Sequence, residues 1–535
     1  MKKSLQVLKF GGTSVGNGER IRHVAHIIAN TVQNPEEASP VVVVSAMAEV
    51  TDQLLRIAGL IYDEEQEAVE RELEALRQKH REAVEKVAHQ PQEREALQRE
   101  LEAAFVQLEQ DVASLRSYLA KGLTPTRGLS KDKDLTPTRG VTTLSTDSPD
   151  NHVVAPVGGG KPTILSASPY VAAIAAWGER LSVLLVAAAV VDMGVKAAAV
   201  REEIIVTGQF HNEQTIPPGV TLGADPLPEQ TRCKAQTLVM PLLEQEIVPV
   251  AAGFIGRTPD GIVTTLGRNG SDYSAAAIGA ALDCEEVSIY TDVDGVLTAD
   301  PRLVTNARLL TRLSYAEAAR LSWFGAKVLH PRTLIPLAPS SIPVRVRNTF
   351  RPEMRGTLVG PEGRERSGAS AITVRRSLAL ITMESTELFS APENAGQVFA
   401  LAARAGATPV AICSSAGHHL SFLVEERAAA SVVALLQHDM GNWCVRSRGG
   451  LAACACIGSG FTVDPMSAAR AVTALARERI PVITQGASEL GITLIVEDSD
   501  SERALRCLHR DLIAPVIPLV RHTHGKRREQ SRSTL

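Results

Sequence analysis

Two glycine-rich turns carry the charged residues best suited to chemistry on an anion. Lys9-Phe10-Gly11-Gly12-Thr13-Ser14 sets a lysine at the end of an apolar strand and two glycines at the start of the helix that follows. Glycines let backbone N–H groups approach phosphate oxygens, and a helix N-terminus favours negative charge. Lys9 can meet a transferring phosphoryl group as a point charge. The GxxxxGK[ST] loop does not occur in the chain, so this is a different phosphate cradle. Gly267-Arg268-Asn269-Gly270-Ser271-Asp272 is the second turn, ahead of a small-residue helix from Ser274 to Ala281. There Arg268 can clamp a carboxylate bidentately, while Asp272 falls in the first helical turn, where a carboxylate also serves as an ordinary cap. Thr291-Asp292-Val293-Asp294-Gly295 follows another strand and sits at its carboxyl end, where open α/β sheets bind ligands. An Asp-Gly pair by itself marks only a turn. Asp300-Pro301-Arg302 and Phe324-Gly325-Ala326-Lys327 add cations nearby in sequence, of kinds usually solvated. Two anion-friendly helix starts in one α/β unit point to ligands with negative charge at both ends.

These residues need a sheet to hold them. Leu5 to Phe10 reads as a short apolar strand, followed by a helical pattern through Ile21, Val24 and Ile28. Val41 to Val44 is a continuous β-branched run, suited to a strand buried on both faces of a parallel sheet. Val248-Pro249-Val250 and Val287 to Tyr290 look like further strands, with helical stretches between, so the class is α/β. Residues 64–119 place apolar or permissive positions three and four apart, at Val69, Leu73, Leu76, His80, Ala83 and Val87, and again from Leu97 to Leu119. The pattern predicts a helical hairpin folded at His89-Gln90-Pro91, its stripes buried against each other. Residues 121–163 are rich in Thr, Pro, Gly, Ser and Asp and repeat Leu-Thr-Pro-Thr-Arg-Gly at 123–128 and 135–140; a flexible insertion is the expectation. From about residue 375 short strands (Leu378–Met383, Pro409–Cys413, Leu420–Val424) flank a helix at Gly396–Ala405. A second set follows: Ala452–Ile457, a helix at Ala468–Arg477, Pro481–Thr484 and Ile492–Val496. Two small β-α-β-β modules in tandem are expected.

Composition sets the outer limits. A length of 535 residues calls for two or three domains. With 44% apolar and 22% charged residues the chain is of ordinary globular type, and a net charge of −4 gives no signal for nucleic acid or an anionic membrane. A basic tail at 521–535 reads as solvated. Seven scattered cysteines, without a CxxC pair or a metal-ligand cluster, fit a reduced, cytoplasmic protein that holds no metal of its own. Cys454 and Cys456 fall on one face of a strand. No targeting segment is evident after Lys2 and Lys3. The most apolar stretch, Tyr170 to Val191, is interrupted by Gly178-Glu179-Arg180, as in a buried helix with a functional break rather than a membrane span.

Taken in order along the chain, the motifs resemble those of the aspartate kinases, members of the amino acid kinase fold. The motifs are Lys9 to Val15, Ser45-Ala46-Met47 through Thr51, Gly178-Glu179-Arg180, Gly253 to Gly256, Gly267 to Asp272, Thr291 to Asp294, and Phe324 to Pro331. The resemblance covers almost the whole chain except roughly 121–163. It implies a three-layer αβα catalytic domain with a mainly parallel sheet over 1–365, then two ACT-like modules at 375–447 and 450–520. It implies transfer of phosphate from ATP with Mg²⁺ to the side-chain carboxylate of L-aspartate, the first step of lysine, threonine and methionine biosynthesis. Lys9, Gly11 and Gly12 would hold the ATP phosphates. Thr51, Glu179, Arg268 and Ser271 would bind aspartate, Arg268 at its α-carboxylate and Glu179 at its ammonium. Asp272 would order the phosphate-binding lysines. Thr291, Asp292, Arg302 and Lys327 would line the nucleotide site, and Phe254 would wall the substrate. Two positions depart from the family pattern: Glu49 stands where a small residue, often Gly, is usual, and Leu297 where many members have Tyr.

ACT modules in this family bind end-product amino acids at interfaces, which implies lysine or threonine as effector and a homodimer. Asn394, in the loop Pro392 to Gly396, and Gln485, in the polar strand end Gln485 to Glu489, are the candidate effector contacts. Ordinary turn chemistry is the alternative reading of both. A kinase acting on glutamate or a nucleotide, and an amino-acid sensor that has kept only the fold, remain the competing readings.

Overall fold

The computed structural model describes residues 4–121, 169–208, 223–326, 329–363, 368–385, 391–416, 419–441, 443–461, 464 and 466–513. The expected insertion, beyond its first residue, the basic tail and Lys327 lie outside the described residues, as does the side chain of Asn394.

The first half of the chain alternates strands with helices. β1 (Leu5–Phe10) leads through a turn to α1 (Gly18–Gln33), and β2 (Ser39–Val44) to α2 (Val50–Tyr62). The helices α3 (Gln66–Val87), α4 (Pro91–Ala120), α5 (Pro169–Ala175) and α6 (Trp177–Asp192) follow. Then come β3 (Ala197–Val200), α7 (Pro228–Glu244), β4 (Val248–Ala252), the hairpin β5 (Ile255–Arg257) and β6 (Val263–Thr265), α8 (Gly270–Ala281) and β7 (Glu286–Thr291). β8 (Arg312–Ser314), α9 (Tyr315–Trp323), α10 (Pro331–Leu334), β9 (Val344–Asn348) and β10 (Thr357–Gly360) complete the unit. The main sheet runs β3-β4-β2-β1-β7-β9-β10-β8, parallel except where β10 meets β9.

Alternation along the buried strands produces three layers. Leu8, Phe10, Val42 and Val44 pack on one face with α1 to α6, while Val7, Val41, Val43 and Ile289 pack on the other with α7 and α8. β-branched residues suit strands covered on both sides. The apolar stripes expected on α3 and α4 are buried at Val69, Leu73, Leu76, His80, Ala83, Val87, Leu97, Leu101, Leu108, Val112 and Leu115. They do not pack only against each other: both helices join the core formed with α1, α2, α5 and α6. By length and composition Pro169–Asp192 is apolar enough to cross a membrane, but 83% of that window is buried inside the protein. Its break falls at Ala176, and Gly178 to Arg180 lie in the first turn of α6. The glycines Gly11 and Gly12 do not open α1 either. They form a separate turn, and the helix starts at Gly18, where the Asn17 side chain accepts from Arg20 N.

The C-terminal part is one antiparallel sheet with helices on one face. β11 (Ala371–Ser385), α11 (Ala391–Arg404), β12 (Ala411–Ala416), β13 (His419–Glu425) and α12 (Glu426–Asp439) are followed by β14 (Trp443–Ile457), α13 (Met466–Arg477), β15 (Thr484–Ser488), β16 (Gly491–Glu497) and α14 (Ser501–Leu512). The strand order is β12-β13-β11-β14-β16-β15. The two modules are therefore interlocked rather than strictly tandem. Residues 378–385 of β11 pair with 443–448 and 451 of β14 and with β13, whereas 371–375 pair with 453–457, beside β16. The expected border near residue 450 lies inside one strand. Pro392 to Gly396, expected as a loop, belong to the first turns of α11, where proline's fixed φ suits a helix start. The strand expected from Pro481 begins at Thr484, so Gln485 is an exposed residue within β15.

Candidate active site

The loops that leave the carboxyl ends of β1, β2 and β4 meet the N-termini of α6 and α8 around a cleft of about 350 Å³. Its walls include Lys9, Gly12, Thr51, Glu179, Arg268 and Asp272. Phe254 and Ser271 complete the set that sequence had assigned to the substrate side.

Each side chain has a local reason for its place. Lys9 is the penultimate residue of a strand whose neighbours β2 and β7 bury its stem, leaving the residue 7% exposed. Its Nζ lies 2.5 Å from Asp272 Oδ1, in the first turn of α8. Asn269, at the N-cap of α8, takes a left-handed backbone with φ 56, which turns the chain so that Gly270, Ser271 and Asp272 open the helix beside the cleft. Gly253 must be glycine for this packing, because a Cβ there would stand 2.7 Å from Ser271 Cβ. Phe254 also has a left-handed φ of 64, a conformation that a bulky residue holds only when its surroundings enforce it.

Glu179 is 3% exposed. Gly178 lets α6 press onto the loop after β2, since a Cβ at that position would lie 2.7 Å from Ala46 Cβ. The close approach brings Ala46 N to Glu179 Oε1 at 3.1 Å. The second oxygen, Oε2, is buried and has no partner among the described residues. Burial outweighs the Ala46 hydrogen bond and the nearby Lys9 charge and pushes the Glu179 carboxyl up to about 8. Arg268 is exposed at the rim and forms no ion pair among the described residues. The cleft thus offers an unmatched guanidinium, a buried carboxylate with a bare oxygen, a lysine, and the N–H groups of a helix start.

Of the residues expected on the nucleotide side, Lys9 and Gly12 line that cleft, whereas Gly11, Thr291, Asp292 and Arg302 do not. Gly11 N donates to Tyr290 O at 3.4 Å, so the first glycine turn abuts the end of β7. Thr291 closes that strand and its hydroxyl donates to Asp292 Oδ1 at 3.1 Å. Arg302 is not brought to the cleft: it pairs with Asp300 at 2.6 Å and its side chain is 85% exposed. Lys327 lies outside the described residues. Leu297 bridges to Leu309 across a short antiparallel contact. Glu49, exposed on the cleft wall, has a left-handed φ of 66 at the N-cap of α2. Among the described residues no group of three or more His, Cys, Asp or Glu is placed to hold a metal.

Some members of the site gave no signal in the sequence. Lys79 of α3 donates to Ala48 O at 2.6 Å, bracing the loop after β2. Trp177 Nε1 donates to Asp111 Oδ2 of α4 at 2.7 Å and so holds the start of α6. Asn348 Nδ2 donates to Asp294 Oδ1 at 2.7 Å, and the Ser14 and Thr349 hydroxyls lie 2.6 Å apart, closing the end of the sheet beside the glycine turn. All are tertiary contacts between residues of common type, distant in sequence.

The pattern of the amino acid kinase family matches residues 4–348, and that of an ACT domain matches 455–512. The chain is 31% identical over 529 residues to the chloroplastic bifunctional aspartokinase/homoserine dehydrogenase 1 of Zea mays, covering 94% of this chain and 50% of that protein. It thus spans about half the length of the curated relatives it first matches. Among solved structures, E. coli aspartokinase III in complex with aspartate and ADP shares 24% identity and a TM-score of 0.69, covering 95% of this chain and all of the other. The same protein in complex with lysine and aspartate shares 25% identity with a TM-score of 0.67, over the same 95%.

Proposed function

Because this chain belongs to the amino acid kinase family, we propose that it is an aspartate kinase, converting ATP and L-aspartate to ADP and 4-phospho-L-aspartate under feedback control by an end-product amino acid. The observation that carries the reading is the cleft itself. A zwitterion with an additional side-chain carboxylate matches an unpaired guanidinium (Arg268), a bare buried carboxylate oxygen (Glu179) and a lysine (Lys9) in one wall. The aspartate and lysine complexes of E. coli aspartokinase III support the substrate and the kind of effector.

In this reading Arg268 takes the α-carboxylate and Glu179 the ammonium, with Thr51, Phe254 and Ser271 around the side chain. Gly11, Gly12 and Lys9 hold the phosphates of ATP, which arrives with Mg²⁺ as part of the substrate. Thr291, Asp292, Arg302 and Lys327 serve the nucleotide, Arg302 only after leaving Asp300. The β-carboxylate is already ionised near neutral pH, so no general base is needed. The barrier lies in bringing one anion onto another. Lys9, oriented by Asp272, and the N-terminus of α8 offset that charge while the phosphoryl group passes in line. The product is an acyl phosphate, so the buried floor of the cleft also serves by excluding water.

The C-terminal sheet is the effector-binding part, with Asn394 and Gln485 as contacts and a homodimer formed through it. Seven free thiols support a reducing compartment such as the cytoplasm. The first test is a coupled assay of ADP release with aspartate and with glutamate. Aspartate-dependent release is expected, and Lys9→Ala should reduce it by about a thousandfold or more while leaving the fold intact. Near-normal turnover in Lys9→Ala would remove the role assigned to the lysine. Glutamate turnover without aspartate turnover, or effector binding without any turnover, would replace the reading with one of its competitors.

A further inference from the structure

The helical hairpin holds a second cavity, of about 460 Å³, that shares no wall residue with the cleft. α3 contributes His80 and Val84, α4 contributes Leu101 and Phe105, and His80 and Phe105 are at most 1% exposed. The His80 ring stands edge-on to Phe105 with centroids 5.7 Å apart. We propose that this cavity is a binding site for a small aryl-alkyl amine with a second hydrogen-bond donor at the far end of its ring.

The chemistry follows from one nitrogen and the rim. His80 Nδ1 lies 2.8 Å from Leu76 O, and a carbonyl only accepts, so Nδ1 carries the proton. Nε2 is then an acceptor, and it is buried with no partner among the described residues. Burial pushes the imidazole down to about 4, so this acceptor persists at neutral pH. A buried acceptor without a donor is uncommon in folded proteins and is what a ligand's hydroxyl or N–H would satisfy. Val84, Leu101 and Phe105 provide the apolar wall for a ring. At the rim, Arg81 and Arg77 share Glu102 at 2.9 and 3.3 Å, and Arg94 pairs with Glu85 at 3.0 Å. Arg77 lies 5.1 Å over the Phe105 ring and pairs also with Glu74 and Glu109. Among the described residues Glu82 receives only the Gln78 amide, at 3.0 Å. The charge left over is negative, which favours an ammonium there and disfavours anions. The volume lies within the usual range for small-molecule sites. Lys79, the residue before His80 on α3, is the donor to Ala48 O, so this cavity and the loop after β2 are mechanically joined.

Tyramine carries both donors, and phenethylamine lacks only the phenolic one. Isothermal titration calorimetry on the full chain should give one tyramine site, with phenethylamine weaker by about tenfold, the ratio expected when a buried acceptor is left unmet. His80→Phe should abolish that ratio at nearly unchanged thermal midpoint. Absence of tyramine binding at millimolar concentration, or equal affinity of the two amines for the native chain, overturns the site even if His80→Phe fails to fold. Amide exchange in 45–52 should slow with tyramine bound; unchanged exchange in a saturated sample overturns the coupling to the loop.

Discussion

A carboxylate with one oxygen on Ala46 N and the other bare is difficult to ionise, and Glu179 is held up to about 8 for that reason. An ammonium beside it reverses the balance, because it favours the charged form. Aspartate binding should therefore require Glu179 to lose its proton, so affinity falls about tenfold per pH unit below about 8 until the pKa of the bound state is reached. The aspartate KM is expected to decrease from pH 6.5 and level off above about 8, and Glu179→Gln should raise it and flatten the profile; a flat profile in the native enzyme would exclude the assignment. In the absence of ligand the sign is different. A carboxyl with a raised folded-state value contributes stability below about 4.5 that is lost as pH rises toward about 8. Glu49 offers a second test at this scale. Its left-handed φ and its place at the start of α2 put a like charge where a substrate carboxylate would profit from the helix N-terminus. Glu49→Gly should lower the aspartate KM by about two- to fivefold, the effect of one exposed charge at this range. An unchanged or higher KM would show that the Glu49 carboxylate faces solvent only. Lys9 was legible in sequence because a lysine at the end of an apolar strand is unusual for its surroundings, whereas an acid opening a helix reads equally as a cap, and only the family resemblance singled out Asp272. The bond of Glu179 to Ala46 N was not legible, since a backbone N–H has no sequence signature.

The hairpin of α3 and α4 shows what an element can add to a site it does not line. Lys79 holds Ala48 O, Gln53 Nε2 of α2 donates to Glu72 O at 3.0 Å, and Asp111 holds Trp177, two residues before Glu179. Both walls of the cleft thus lean on the same pair of helices. Lys79→Met keeps the length and apolar stem of the side chain but removes the donor. A hydrogen bond to a charged group contributes about 1.5–3 kcal/mol, less when part of it is open to water. The expected result is a three- to tenfold rise in the aspartate KM, about 0.7–1.4 kcal/mol, with the ATP KM unchanged. Equal rises for both substrates would point to a general loosening instead. Periodicity alone revealed this hairpin, because a stripe at spacings of three and four survives in any well-packed helix. The C-terminal strands were less legible. Arg375-Arg376-Ser377 interrupts β11 with a register shift and a left-handed Ser377, and Ser447 to Gly450 reads as a loop within β14. These irregularities lie where each strand passes from one module to the other. α12 has no side-chain cap to announce it. α14 did carry a signal, since Leu505, Leu508 and Leu512 form a buried helical stripe.

At the scale of the whole molecule, α9 is, among the described residues, one of two pieces that join the halves, the other being the segment 298–308, whose Ala299 and Val304 pack with α14. Ala318, Leu321 and Phe324 share one core with Leu378, Val410, Leu423, Leu451 and Ile495, so the helix-free face of the C-terminal sheet is covered by the first unit. A capping box fixes the start of the helix, and its Glu317 also accepts from Ser370 Oγ at 2.9 Å. At the other end, Trp323 Nε1 donates to Val410 O at 2.8 Å, Arg375 Nη1 to Trp323 O at 2.9 Å and Thr373 Oγ1 to Phe324 O at 3.1 Å; Arg320 bonds Ser488 at the end of β15. A few residues further on, Arg332 donates to Leu266 O at 3.3 Å and lies over the Tyr273 ring at 4.7 Å. Those two residues flank the Gly267–Asp272 turn that supplies Arg268 and Asp272 to the cleft. A packed sheet and helix shift between discrete arrangements rather than deforming smoothly, so an amino acid that reshapes the sheet should act on that turn through α9. Trp323→Phe removes one donor across this contact, keeps the ring, and touches nothing in the cleft. Its unliganded turnover should match the native enzyme. Its inhibition by lysine or threonine should need about five times more effector, a loss of about 1 kcal/mol of coupling. Rate curves against each amino acid and against both together decide the matter. Superimposable curves for the two proteins would place the coupling elsewhere, and a native enzyme inhibited by neither amino acid would remove the regulatory reading itself.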